Sequence, residues 1–183
     1  MYDFTYQRAG SVDDASAKVK GADDAMLMAG GMTLIPTLKQ RLAQPSDVVD
    51  LSGISGLAGI SVEGDTVVVG AMTPHATVAA SAEVKSKIPA LADLADGIGD
   101  PQVRNRGTIG GSIANNDPAA DYPSACVGLG ATIVTNQREI AADDFFTGLF
   151  ETALEDGEVV TAVKFPVPSK AAYMKFPNPA SRY

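Results

Sequence analysis

The feature that most constrains this chain is the run Ala25-Met26-Leu27-Met28-Ala29, which breaks at Gly30-Gly31 and leads into a helical pattern. A run with no polar face predicts a strand buried on both sides, as in a parallel sheet covered by helices. Thr33 stands where an N-cap belongs, and Leu34, Leu38 and Leu42 recur at helical spacing. Upstream, Ser11 precedes a predicted helix over 12–20 with acids in its first turn. Downstream, Val48-Val49-Asp50-Leu51 reads as another parallel strand. Residues 1–53 thus predict a small β-α-β lobe with a right-handed crossover.

After Ser52-Gly53 the rhythm changes. Residues 60–63 and 66–70 flank Gly64-Asp65, a hairpin signal. Pro74 and Pro89 each open a predicted helix, over 74–80 and 89–95. The stretch 98–121 is rich in Gly, Asn, Asp and Pro and reads as irregular. Tyr122 to Leu129 predicts a helix, 131–135 a strand, and 158–165 a strand ending at Pro166. Residues 54–170 thus predict a second, larger lobe with a mostly antiparallel sheet, and the fold class is α+β.

The rarest residues narrow the chemistry. One cysteine, Cys126, cannot form an internal disulfide, hold an iron–sulfur cluster or build a zinc site. One histidine, His75, far from any serine elbow, argues against a hydrolase triad and reads as a surface or helix-capping residue. Redox chemistry here therefore calls for a bound organic cofactor. A net charge of −8 disfavours nucleic-acid binding. There is no transmembrane segment, since no apolar run approaches the roughly 18 residues of a membrane span. The first ten residues do not read as a secretory leader, so a cytoplasmic location is expected.

Two glycine loops carry the functional signal. In the first, Gly30-Gly31 lies between a strand and a helix start, where free amides and the helix dipole could cradle a phosphate. It is neither a Walker loop nor a full Rossmann fingerprint, and a plain turn is the competing reading. The second runs from Arg106 to Asp121, with glycines for close approach, hydroxyls for phosphate and Asp121 for sugar hydroxyls. Its competing reading is an Ω-loop held by its own Asn and Asp side chains. Gly128-Leu129-Gly130 reads as a helix C-cap, and Cys126 as a small buried apolar residue.

Ala29-Gly30-Gly31-Met32-Thr33-Leu34-Ile35-Pro36, followed downstream by Asp100-Pro101-Gln102-Val103-Arg104-Asn105, Arg106-Gly107-Thr108-Ile109-Gly110-Gly111-Ser112 and Asp117-Pro118-Ala119-Ala120-Asp121, resembles the FAD-binding (medium) subunit of molybdenum hydroxylases. That family spans aerobic carbon monoxide dehydrogenase and xanthine dehydrogenase. The resemblance implies a PCMH-type (vanillyl-alcohol-oxidase-like) domain whose two α/β lobes sandwich an extended FAD. Ala29, Gly30, Gly31, Met32, Thr33 and Leu34 would lie against the pyrophosphate. Thr108, Gly110, Gly111, Ser112, Asn115 and Asp121 would hold phosphate, ribose or ribityl oxygens from the other side. Ile98, Gly99 and Val103 would wall the adenine, while Val160, Lys175 and Tyr183 would lie near the flavin ring.

The resemblance further implies partners: a molybdopterin-bearing large subunit that hydroxylates the substrate and a small subunit with iron–sulfur clusters. FAD would pass electrons to a quinone, oxygen or NAD. Met32 departs from the His or Gln common in the family and removes a side-chain donor while sparing the backbone cradle. Residues 171–183 would begin a C-terminal domain, making the chain a fragment. The alternatives are a self-contained flavin oxidoreductase of the same superfamily and a nucleotide-binding module without redox activity.

Overall fold

The computed structural model describes residues 1–177. Its first lobe contains β1 (Thr5–Arg8), α1 (Val12–Lys20), β2 (Ala25–Met28), α2 (Leu34–Lys39) and β3 (Asp47–Asp50). The strands are all parallel, in the order β1-β3-β2. Ser11 caps α1 as expected, its hydroxyl accepting from the Asp14 amide at 3.0 Å. Ala15 of α1, flanked by Val12 and Val19, packs on Val49 and Leu27.

Three expectations for this lobe need correction. β2 is an edge strand with Met26 37% exposed, whereas β3 takes the centre with Val48 and Val49 buried. Thr33 has helical backbone angles and makes no side-chain cap. The helix also stops before Leu42, because Arg41 turns left-handed at φ 60° and leaves Leu42 exposed. β1 was not anticipated, since Thr-Tyr-Gln-Arg shows no apolar alternation. It is recruited by β3, with the Tyr6 hydroxyl donating to Asp50 at 2.6 Å and the Gln7 amide to Asp47 at 2.8 Å.

A 3₁₀ turn at Leu51–Gly53 leads to the second lobe: β4 (Ile60–Glu63), β5 (Thr66–Gly70), α3 (His75–Ala80), α4 (Ala82–Lys87), α5 (Pro89–Asp96) and α6 (Pro101–Arg104). Then come α7 (Ile109–Asn115), α8 (Tyr122–Gly128), β6 (Thr132–Thr135), β7 (Glu139–Ala141), α9 (Ala142–Phe145), β8 (Phe146–Gly148), β9 (Glu151–Thr152) and β10 (Val160–Pro166). The main sheet is antiparallel, in the order β4-β5-β10-β6-β7. Gly64, at φ +60°, makes the predicted hairpin turn between β4 and β5. Alternate residues Val67 and Val69 of β5 face inward with Val163 and Phe165 of β10, against Leu91 and Leu94 of α5. Met72 and Val159 of this lobe pack into the small lobe's core, so the two share an apolar seam.

The stretch 98–121 is not irregular throughout: it contains α6 and α7. Two glycines lower helix propensity in α7. Burial reverses that preference, because Ile109 and Ile113, four apart, are both fully buried. Asn116 ends the helix at φ 42°, and its amide donates to the carbonyls of Gly148 and Glu151 at 2.8 Å each. The small β8–β9 hairpin is thereby tied to the end of α7.

Candidate functional site

The end of β2 and the start of α2 build the first half of the site. Gly31 adopts φ +74°, a left-handed conformation that favours glycine. Among the described residues, the amides of Gly30, Gly31, Met32, Thr33 and Leu34 have no protein acceptor. Consecutive unspent donors at a helix start suit an anionic oxygen. Thr33 is exposed, while Ala29, Met32 and Leu34 are half-buried around the turn.

The second half is the turn from Arg106 into α7, and the two halves touch. A Cβ added to Gly30 would stand 1.9 Å from the Arg106 carbonyl oxygen and 3.0 Å from the Gly107 Cα. One added to Gly111 would stand 3.4 Å from the Ala29 Cβ. The turns therefore converge, as expected. Their donors, however, are unequal. Ile109 and Gly110 donate to the carbonyls of Thr73 and Ala71 at 3.2 and 2.8 Å, Gly111 donates to the Thr108 hydroxyl at 3.2 Å, and Ser112 to the Thr108 carbonyl at 3.0 Å. Gly110 is a packing glycine, since its Cβ would meet Ala71 at 2.6 Å. The first turn holds the spare amides, and the second offers half-buried Ser112 and Asn115 side chains around a capped helix.

Several flanking residues are held by contacts of their own. Gly99, at φ +54°, lies against Val103, and the Arg104 guanidinium donates to the carbonyls of Ile98 and Gly99 at 3.2 and 3.0 Å. This makes a stiff wall. Val160 is buried at the start of β10, next to a register shift against β6. Asp121 accepts from Lys175 at 3.0 Å and from the Tyr173 hydroxyl. Tyr173 was not anticipated, although its spacing two before Lys175 is the period of an extended segment. Tyr183 lies outside the described residues. Two surface hollows of about 510 and 290 Å³ run along α3, sharing Ala76 and Ala80, but neither is lined by the glycine turns.

His75 corrects a further expectation. It is neither a surface residue nor a side-chain cap but only 4% exposed beneath the second turn. Its amide donates to the Gly107 carbonyl at 3.0 Å, and its ring lies 5.3 Å from that of the fully buried Tyr122. Burial lowers its pKa from 6.5 to about 4, with the Asp121 charge opposing. The unfolded chain thus binds a proton that the folded one refuses between these values, and stability falls as pH drops through that window. A His75→Gln variant is expected to flatten the slope of urea-unfolding free energy between pH 6.5 and 4. With a single histidine in the chain, the change in slope has one source in that range.

Among the described residues there is no group of three or more His, Cys, Asp or Glu able to hold a metal ion. Nor is any described helix long and apolar enough to cross a membrane. Residues 2–168 match the family described as the FAD binding domain in molybdopterin dehydrogenase. The carbon monoxide dehydrogenase medium chain of Hydrogenophaga pseudoflava is 42% identical over 168 residues, covering 89% of this chain and 58% of the relative. That of Afipia carboxidovorans is 44% identical, covering 90% of this chain and 59% of the relative. The glyceraldehyde dehydrogenase medium chain of Sulfolobus acidocaldarius is 38% identical, covering 99% of this chain and 66% of the relative. The chain thus spans less than two thirds of these curated relatives. The solved carbon monoxide dehydrogenase of H. pseudoflava superposes with a TM-score of 0.88 at 42% identity, covering 91% of this chain and 60% of the other. Quinoline 2-oxidoreductase from Pseudomonas putida does so with a TM-score of 0.88 at 36% identity, over 91% of this chain and 60% of the other. With two converging glycine turns, a parallel and an antiparallel lobe and this match over nearly all its length, the chain belongs to the FAD-binding domain family of the molybdopterin dehydrogenases.

Proposed function

We propose that this chain is the flavin-carrying module of a molybdenum-hydroxylase complex, relaying electrons through FAD while a partner subunit transforms the substrate. The observation that carries this reading is the row of unspent amides from Gly30 to Leu34, pressed against the Arg106–Gly107 turn. Those donors fit a diphosphate, which brings several anionic oxygens and no positive charge. FAD, when bound, supplies the redox chemistry, and the protein supplies binding, orientation and electrostatics. In this reading Ala29 to Leu34 hold the pyrophosphate. Thr108 and Gly110 hold the second turn in shape, while Gly111, Ser112, Asn115 and Asp121 approach the sugar and ribityl oxygens. Ile98, Gly99 and Val103 wall the adenine, and Val160 and Lys175 border the flavin ring.

Electrons would arrive from the iron–sulfur clusters of a small subunit, with a molybdopterin-bearing large subunit upstream. They would leave to a quinone, oxygen or NAD, in the cytoplasm, a placement that suits the buried free thiol Cys126. Relatives named for carbon monoxide and for glyceraldehyde are both well matched to this chain. That similarity supports a shared electron relay, with substrate choice made on another polypeptide. Purified protein titrated with FAD is expected to bind it at one site per chain, with quenched flavin fluorescence and no hydroxylase activity of its own. Failure to bind FAD, or substrate turnover by this chain alone, would refute the proposal.

A further inference from the structure

Residues 171–177 form neither helix nor strand, yet two of their side chains are committed. The Tyr173 hydroxyl donates to Oδ1 of Asp121, and the Lys175 ammonium donates to Oδ2 at 3.0 Å. Lys175 also donates to the Gly97 carbonyl at 3.3 Å. Between and beyond them, Met174 and Phe176 are 94% and 97% exposed. The segment therefore alternates inward and outward as an extended chain does. Its inward residues converge on one carboxylate whose side chain is only 8% exposed. The backbone at Asp121 is held from the other side too, because Tyr122 is fully buried against His75.

We propose that Tyr173 is a positioning residue for the flavin. Each Asp121 oxygen has its own donor, so the carboxylate is held in a single orientation. Each oxygen keeps a second lone pair, which can accept from a cofactor hydroxyl or ring N–H. Tyr173 thus acts through Asp121 rather than by touching the cofactor. This inference rests on the proposal that the chain binds FAD. It differs from a passive latch for the 171–177 segment because it ties the hydroxyl, and not merely the ring, to cofactor affinity.

The test is FAD titration of the full chain, followed by flavin fluorescence and visible absorbance, with thermal unfolding of each apo variant alongside. Tyr173→Phe keeps the ring and removes one donor to a charged acceptor. It is expected to weaken FAD binding roughly tenfold at pH 7. Asp121 keeps its Lys175 donor but loses the second tether that fixes its orientation, so the visible absorbance bands of the bound flavin should shift as well. In an Asp121→Ala background, where no side-chain oxygen remains for the hydroxyl to hold, the same change should cost nothing further. Lys175→Met, which removes the donor to the other oxygen, should also weaken FAD binding and shift the bound flavin's absorbance, and serves should Tyr173→Phe fold poorly. Wild-type protein that binds FAD while Tyr173→Phe keeps the same affinity and the same bound-flavin absorbance would overturn this inference alone. A tenfold loss persisting in the Asp121→Ala background would also overturn it, since the hydroxyl would then be acting elsewhere. Wild-type protein that does not bind FAD would sink the functional proposal and this inference together.

Discussion

Replacing Gly30 by alanine is expected to weaken FAD binding at least a hundredfold while leaving a folded protein. The added methyl would stand 1.9 Å from the Arg106 carbonyl oxygen and 2.6 Å from its carbon. Both are backbone atoms, so no rotamer change relieves the clash and one turn must retreat from the other. Such overpacking costs about 1–3 kcal/mol of stability. The cost to binding is larger. The amides from Gly30 to Leu34 would move relative to the second turn, and losing about two charge-assisted hydrogen bonds, at ~1.5–3 kcal/mol each, exceeds a hundredfold in affinity. Gly128→Ala is the control, since its added methyl would meet nothing within 4 Å. Titration with FAD and apo unfolding should be measured on both. A Gly30→Ala protein that binds FAD as tightly as the parent would show that the contact between the turns does not shape the site.

Glu158→Ala should give the largest loss of stability, and its effect should depend on pH. The Glu158 carboxylate is buried between β6 and β10, where the Thr135 hydroxyl, the Arg138 guanidinium and the Glu155 amide all donate to it, at 2.7, 3.0 and 2.8 Å. Chiefly through Arg138, and against the cost of burial, its pKa is lowered from 4.5 to about 2. Removing it takes the anion from Arg138 and an acceptor from the Thr135 hydroxyl and the Glu155 amide, a loss that costs ~3–5 kcal/mol where such a pair is fully buried. Arg138 is partly exposed, which favours the lower figure. The melting temperature should fall by roughly 10 °C for a chain of this size. Because the folded value is depressed, this stabilisation is complete above pH 4.5 and fades as pH drops toward about 2. Urea unfolding should therefore separate the two proteins at pH 7 and bring them together near pH 2. A constant gap across that range would mean that the charge of Glu158 is not what stabilises the fold.

Acidification acts on both buried groups with the same sign at different pH. His75 is penalised first, between 6.5 and about 4, and Glu158 loses its advantage below 4.5. One lies under the second glycine turn and the other beside the β6–β7 turn, with no shared partner, so the two losses should be nearly additive.

Local signals in the sequence specified local structure. Ser11 capped its helix, Gly64-Asp65 turned its hairpin, and Pro89 opened α5, because each depends on hydrogen bonds or torsions within a few residues. The change of rhythm after Gly53 likewise separated a parallel lobe from an antiparallel one. The first glycine turn was legible for the same reason: a Gly pair before a helix needs no distant partner to be recognised. What the amino-acid order could not express is who neighbours whom. β2 looked fully buried, yet β3 took the centre of the sheet because β1, unremarkable by itself, paired on its other side. α7 formed against its two glycines because a core assembled elsewhere buried Ile109 and Ile113. The meeting of Gly30 with Arg106, the burial of His75 under Gly107 and the grip of Tyr173 on Asp121 each join residues that are far apart along the chain. Propensity and spacing act over one or two turns of backbone, whereas burial and contact arise only once the whole chain has packed.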